Sequence, residues 1–150
     1  MADTVRILFL CTGNACRSQM AEGWARTILG DAVQPASAGV VATAVDPRAE
    51  HVMQEAGVDL IGQFSKKLEE LESLDFDYVI TLCDHAAQNC PVFPGTATVI
   101  HRPFEDPPLA TQGMSEEAGV LAVYRRVRDE IREFVRYMPD NLAPQQEIAP

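Results

Sequence analysis

The sequence predicts an α/β fold built on a parallel sheet, and two observations carry that prediction. Short apolar runs rich in branched residues alternate with stretches of helical periodicity, the pattern of successive βαβ units. The residues with the most chemical potential also follow directly after predicted strands, and ligands of parallel sheets bind beyond the carboxyl ends of the strands. Cys11, Cys83 and the stretch Arg102–Asp106 are thereby expected at one edge of the sheet.

Each element has its own local reason. Val5–Leu10 (VRILFL) reads as a strand buried on both faces, and Thr12-Gly13-Asn14 as a turn suited to unusual backbone angles. From Ser18, apolar residues recur at three- and four-residue spacing through Met20, Ala21, Trp24, Ala25, Ile28 and Leu29, until Gly30-Asp31 closes the helix. Trp24 is read as a core residue. Val33–Val41 is a second strand, Pro47–Ala56 a helix that starts near Asp46-Pro47 and stops at Gly57, and Lys66–Leu74 a shorter helix. Tyr78–Leu82 and Thr96–His101 are the third and fourth strands. Ser115–Met138 is the longest helix, opened by Ser115-Glu116-Glu117-Ala118, with Leu121, Tyr124, Val127, Ile131, Val135 and Met138 on its apolar stripe. No internal repeat or long linker interrupts the chain, so residues 1–138 are read as one domain and the polar, proline-bearing residues 139–150 as a flexible tail.

Composition narrows the classes of function. The chain has 150 residues, 47% hydrophobic and 23% charged, in the range of a soluble globular domain. A net charge of −10 argues against nucleic acid or an anionic membrane as main partner, since both require a broad basic surface. No run of 18 apolar residues is present, and the start MADTVRILFLC reads as a first strand and not as a signal peptide. Four cysteines in such a chain point to catalysis, redox chemistry or metal binding more than to a structural staple, and to the cytoplasm as compartment.

Cys11-Thr12-Gly13-Asn14-Ala15-Cys16-Arg17-Ser18 has the form C-x5-R-S between a strand and a helix. A loop of this kind turns its N–H groups inward, and the following helix start adds partial positive charge, so that a tetrahedral oxyanion is held there. Arg17 offers a planar fork for two equatorial oxygens. Cys11 lies beneath the anion, where the same field favours the thiolate, and the Ser18 hydroxyl donates to it; Cys11 is then a nucleophile. A plainer alternative has Cys11 capping a buried strand and Arg17 paired with a surface carboxylate. Cys16 is read as structural. The loop is not a nucleotide P-loop, because it lacks G-x4-G-K-[ST].

CTGNACRSQMAEG, Thr81-Leu82-Cys83-Asp84, Asn89-Cys90-Pro91 and Glu105-Asp106-Pro107 together resemble the thioredoxin-coupled arsenate reductases of the low-molecular-weight protein tyrosine phosphatase superfamily. The resemblance runs from Ile7 to about Phe134. It implies a single-domain, four-stranded parallel sheet with helices on both faces. It also implies a triple-cysteine mechanism that maps onto Cys11, Cys83 and Cys90, arsenate as substrate with phosphate or sulfate as analogues, and thioredoxin as electron donor to a monomer. No cofactor is expected. Some members resemble a potassium-binding type; Asn14, Glu22 and Ser37 match that pattern, but Lys66 takes the place of its Asp. A lysine ammonium there substitutes for the cation, so no bound metal is predicted.

Cys83 and Cys90 divide reductase from phosphatase, because a reductase must dispose of two electrons and needs further thiols. If Cys83–Cys90 were helical, their Cα atoms would stand about 10.5 Å apart. A disulfide tolerates only about 4.4–6.8 Å, so the intervening residues are expected to loop or unwind on oxidation. Two buried cysteines acting as small hydrophobes remain the plain alternative; Cys-x6-Cys is poor zinc-ligand spacing. Asp106, before Pro107-Pro108, is the candidate general acid, with Glu105 a bystander. His51, His85 and His101 receive no catalytic role. The second function kept in view is a low-molecular-weight phosphatase working through a Cys11 phosphoenzyme. Thr43–Pro47 and Pro107–Thr111 contain no aromatic residue to grip a phenyl ring, which favours a small inorganic substrate. A third is a non-catalytic thiol sensor or arsenite-binding protein using three thiolates.

Overall fold

A computed structural model describes residues 4–83, 93 and 95–142. Strand β1 (Val5–Cys11) lies inside a four-stranded, wholly parallel sheet of order β2-β1-β3-β4, with β2 at Val33–Gly39, β3 at Tyr78–Thr81 and β4 at Thr98–His101. β1 is apolar on both faces because both faces are covered. Ile7, Phe9 and Cys11 belong to the main core, while Leu8 and Leu10 belong to a second cluster with Ala38, Phe76, Val79 and Phe93.

Helix α1 (Arg17–Leu29) packs Met20, Ala21, Trp24 and Ala25 into the main core. Helix α2 (Pro47–Glu55) adds Ala49, Val52 and Met53, and α4 (Glu117–Arg136) adds Val120, Tyr124, Val127, Ile131 and Val135 at helical spacing. The second face is covered in part by Leu68, from a 3-10 helix at Leu68–Glu70, and by Leu71. A short helix α3 (Pro107–Ala110) follows β4, with Asp106 at its N-cap. Bidentate pairing of Arg125 with Glu55 at 2.8 and 2.7 Å clasps α4 to α2 and holds that carboxyl down to about 2.

Two sequence expectations change, and one element was not expected. Lys66–Leu74 is not an α-helix: Lys67 and Leu71 are extended and only Leu68–Glu70 turns. The reason is tertiary, since the Gly39 amide donates to Lys66 O at 3.0 Å and Lys67 bridges to Gly39 in parallel. This stretch therefore serves the edge of β2. The long helix starts at Glu117 with Glu116 as N-cap, and no side chain caps it. Ser115 lies outside the helix, and Glu117 reaches away to Arg48 at 2.9 and 2.7 Å. The short α3 was not foreseen from its two prolines, although proline suits a first helical turn. At the C-terminal end, packing continues to Leu142, which is buried in the core four residues beyond the last predicted helix.

The strand order fixes the place of chemistry. From β1 the chain crosses through α1 to β2 on one side, then returns past β1 to β3 on the other. The switch point is between β1 and β3, whose carboxyl ends carry Cys11 and, two residues past β3, Cys83.

Candidate active site

The loop between β1 and α1 owes its shape to donors that take its carbonyls outward. Thr12 O accepts from the Val41 amide at 3.1 Å, Gly13 O from the Thr43 amide at 3.3 Å, and Ala15 O from the Asp46 amide at 2.9 Å. Asn14 O accepts from Ser65 Oγ at 2.6 Å and from Gln19 Nε2 at 2.9 Å. Four consecutive carbonyls thus face protein, and the alternate side of the loop is left to amides. Asn14 sits at φ 51°, the left-handed region in which Asn is among the better-tolerated residues. No side chain caps the start of α1, so its first-turn amides and dipole point at the same spot. Such a loop can hold a tetrahedral oxyanion.

Close packing behind the loop is enforced by Gly39. A Cβ there would stand 2.6 Å from Thr12 O, 2.9 Å from Asn14 N and 2.9 Å from Val41 O, all of them backbone atoms. Gly39→Ala is expected to push the loop out of shape, costing about 1–3 kcal/mol in stability. It should also weaken phosphate binding about tenfold or more, read by calorimetric titration beside a thermal melt.

A hydrogen-bond chain ends at the nucleophile candidate. The Lys66 amide donates to Asn14 Oδ1 at 2.9 Å, Asn14 Nδ2 donates to Ser18 Oγ at 2.8 Å, and Ser18 Oγ lies 2.9 Å from Cys11 Sγ. Because Ser18 Oγ already accepts from Asn14, its own proton is free to point at sulfur. Asn14 and Ser18 are fully buried and Cys11 nearly so, which strengthens each link. Cys16 differs. Burial above all, then the charges of Asp46, Cys11 and Asp106, push its thiol well up.

Arg17 is buried and staked at three points. Its Nη1 donates to Leu82 O at 3.0 Å and Phe104 O at 3.2 Å, and Nη2 lies 3.5 Å from Asp106 Oδ2. The guanidinium therefore joins the ends of β3 and β4 to the loop. Two small cavities of about 270 and 250 Å³ share Thr12, Arg17 and Asp106 as walls. One contains Cys11, the other Cys83. A larger cavity of about 540 Å³, between α1 and α4 beside Trp24 and Arg132, contains no thiol.

The predicted residues Cys11–Ser18, Cys83 and Asp106 thus meet at one edge. Cys90, and the Asp84–Asn89 segment expected to unwind, lie outside the described residues. Glu105 lines the Cys83 cavity and pairs with Arg126, which in turn pairs with Glu130. Behind the loop, Glu22 accepts from Ser37 Oγ at 2.6 Å and pairs with Arg26, while Lys66 Nζ donates to Phe64 O at 2.9 Å. Burial lowers the Lys66 pKa and the Glu22 charge opposes that. Among the described residues, no group of three or more His, Cys, Asp or Glu is arranged to hold a metal. Sequence reasoning missed Gly39, Gln19, Ser65 and Asp46 as makers of the loop, since none carries a motif.

Comparison with known proteins gives the same outline. The chain is 46% identical over 130 residues to an arsenate reductase of Halalkalibacterium halodurans, covering 87% of this chain and 91% of the relative. It is 46% identical over 125 residues to an arsenate reductase of Bacillus subtilis, covering 83% and 88%. A solved structure described as an arsenate reductase in the phosphate binding state superposes with a TM-score of 0.74 at 34% identity, over 93% of this chain and 96% of that one. The family model described as low molecular weight phosphotyrosine protein phosphatase matches residues 6–147, nearly the whole length, and the chain belongs to that family.

Proposed function

We propose that this protein reduces arsenate to arsenite in the cytoplasm, as a monomer, through a relay of Cys11, Cys83 and Cys90 regenerated by thioredoxin. The observation that carries the reading is the second thiol at the oxyanion loop. Cys83 borders a cavity whose walls Thr12, Arg17 and Asp106 also wall the cavity of Cys11. A phosphatase has no use for a thiol in that place. The relatives named arsenate reductase support the same choice of substrate.

The chemistry runs in three steps. The loop amides and Arg17 bind arsenate, and the Cys11 thiolate attacks arsenic. An As–S bond forms, an As–O bond breaks, and Asp106 protonates the departing oxygen, which leaves as water. The Cys83 thiolate then attacks Cys11 Sγ. The S–S bond forms as the As–S bond breaks, and its electron pair passes to arsenic, which leaves as arsenite. Finally Cys90 attacks Cys83, frees Cys11 as thiolate and leaves a Cys83–Cys90 disulfide. Thioredoxin dithiol reduces that disulfide, so each turnover oxidises one dithiol and reduces one arsenate. Ser18 steadies the Cys11 thiolate at the start and end of the cycle, while Thr12, Gly13, Asn14, Ala15 and Cys16 contribute backbone to the oxyanion cradle.

The test is arsenate-dependent NADPH oxidation with thioredoxin and thioredoxin reductase, comparing wild type with Cys83→Ser and Cys90→Ser. Steady turnover is expected in wild type, with collapse to at most one turnover in either variant. An inactive wild type that hydrolyses an aryl phosphate well would overturn the reductase reading in favour of a phosphatase.

A further inference from the structure

Tyr124 belongs to α4, remote in sequence from the oxyanion loop, and is 1% exposed. A buried phenol needs a partner for its hydroxyl, and this one donates to Asp46 Oδ2 at 2.6 Å. Asp46 Oδ1 accepts from the Arg48 amide at 2.9 Å, and the Asp46 amide donates to Ala15 O at 2.9 Å. A single path of hydrogen bonds therefore runs from the core of α4, through Asp46, to a carbonyl of the loop. Burial first, then the bond to Asp46 and its charge, raise the phenol pKa, so the hydroxyl stays protonated and remains a donor. The Asp46 charge also reaches the loop, because after burial it is the largest influence raising the Cys16 thiol. A carboxylate with freedom to turn toward the bound oxyanion would repel it.

We infer that Tyr124 is a positioning residue for the oxyanion loop, its hydroxyl acting through Asp46 to hold the Ala15 carbonyl outward and the Asp46 carboxylate off the anion. The inference rests on Cys11–Ser18 being an oxyanion loop, and it does not require arsenate to be the physiological substrate. A second link between the same elements, the pair Arg125–Glu55, provides the contrast. It tethers α2 to α4 without touching the loop, so cutting it reports what general loosening does.

The experiment titrates inorganic phosphate calorimetrically into the reduced, full-length protein and runs arsenate kinetics alongside. Tyr124→Phe keeps the ring that fills the core and removes only the hydroxyl. Its Kd for phosphate and its KM for arsenate are expected to rise together by about tenfold, with kcat within about threefold, as loss of a charge-assisted bond upstream of binding requires. Adding Asp46→Asn, which removes the repelling charge and still caps α2, should restore phosphate binding to within about threefold of wild type. Asp46→Asn alone should bind phosphate at least as tightly as wild type, which keeps the question answerable if Tyr124→Phe is too unstable to titrate. Arg125→Gln should change the phosphate Kd less than about twofold. Unchanged phosphate binding in folded Tyr124→Phe, no gain from the added Asp46→Asn, weaker binding in Asp46→Asn alone, or an equal loss in Arg125→Gln would each overturn the assignment. A wild type that binds phosphate but reduces no arsenate would sink the proposed function and leave this inference standing.

Discussion

Cys11→Ser is expected to lower arsenate turnover by roughly 10⁴-fold or more, the scale on which removal of a covalent nucleophile acts. In the proposed relay the substitution removes both roles of sulfur, attack on arsenic and disulfide formation with Cys83. It leaves the cradle intact, because the carbonyls of Thr12, Gly13, Asn14 and Ala15 keep their donors from residues 19, 41, 43, 46 and 65. A serine hydroxyl can keep the contact with Ser18 Oγ, now 2.9 Å from sulfur. The proposed mechanism needs a thiolate beneath the anion, and replacing it by a neutral hydroxyl would relieve repulsion, so phosphate should bind at least as tightly as in wild type. Coupled-assay turnover and phosphate calorimetry read the two effects separately. Residual multiple turnover in Cys11→Ser would place the nucleophile elsewhere; loss of phosphate binding would mean that sulfur shapes the loop as well as reacting.

Arg17→Ala is expected to reduce kcat/KM for arsenate by about 10²–10³-fold, the usual consequence of deleting a preorganised donor at a site of developing charge. The physical argument goes further than lost charge. Arg17 is buried and its Nη1 satisfies Leu82 O and Phe104 O, so alanine strips a donor from two carbonyls at the ends of the strand region. It also leaves Asp106 without the guanidinium 3.5 Å away that fixes its position. A stability loss of about 1–3 kcal/mol in chemical denaturation is expected beside the kinetic effect. Arg17→Lys should recover only a small part of the rate, since an ammonium supplies charge without a planar fork able to span ligand and backbone together. A kcat/KM within tenfold of wild type for Arg17→Ala would remove Arg17 from the oxyanion site. A soft thiol-based arsenite sensor, by contrast, would tolerate the change.

The architecture and the reactive edge were legible in the chain itself. The both-faces-buried run of β1 and the helical stripes of α1 and α4 are local periodicities, and the structure repeats them nearly residue for residue. C-x5-R-S between a strand and a helix was legible for the same reason, because every part of it lies within eight residues. Asp106 and Cys83 were reachable through the rule that parallel sheets gather chemistry at their carboxyl edge.

What sequence alone determined, then, was which residues alternate, which repeat at helical spacing and which nucleophile follows a strand, since those are short-range properties of one chain segment. Tertiary structure decided everything that depends on a partner distant in sequence. Lys66–Leu74 has the composition of a helix, but Lys66 O and Lys67 serve Gly39 at the edge of β2, and those backbone bonds are worth more than one marginal turn. The long helix starts at Glu117 and not at Ser115, and Glu117 is engaged by Arg48, 69 residues away. Gly39 is needed only because Thr12 O and Asn14 N approach it, and Tyr124 reads as one more apolar stripe position until Asp46, 78 residues away, meets its hydroxyl. Periodicity records which face of an element is buried; it holds no record of which buried polar atom must find which partner.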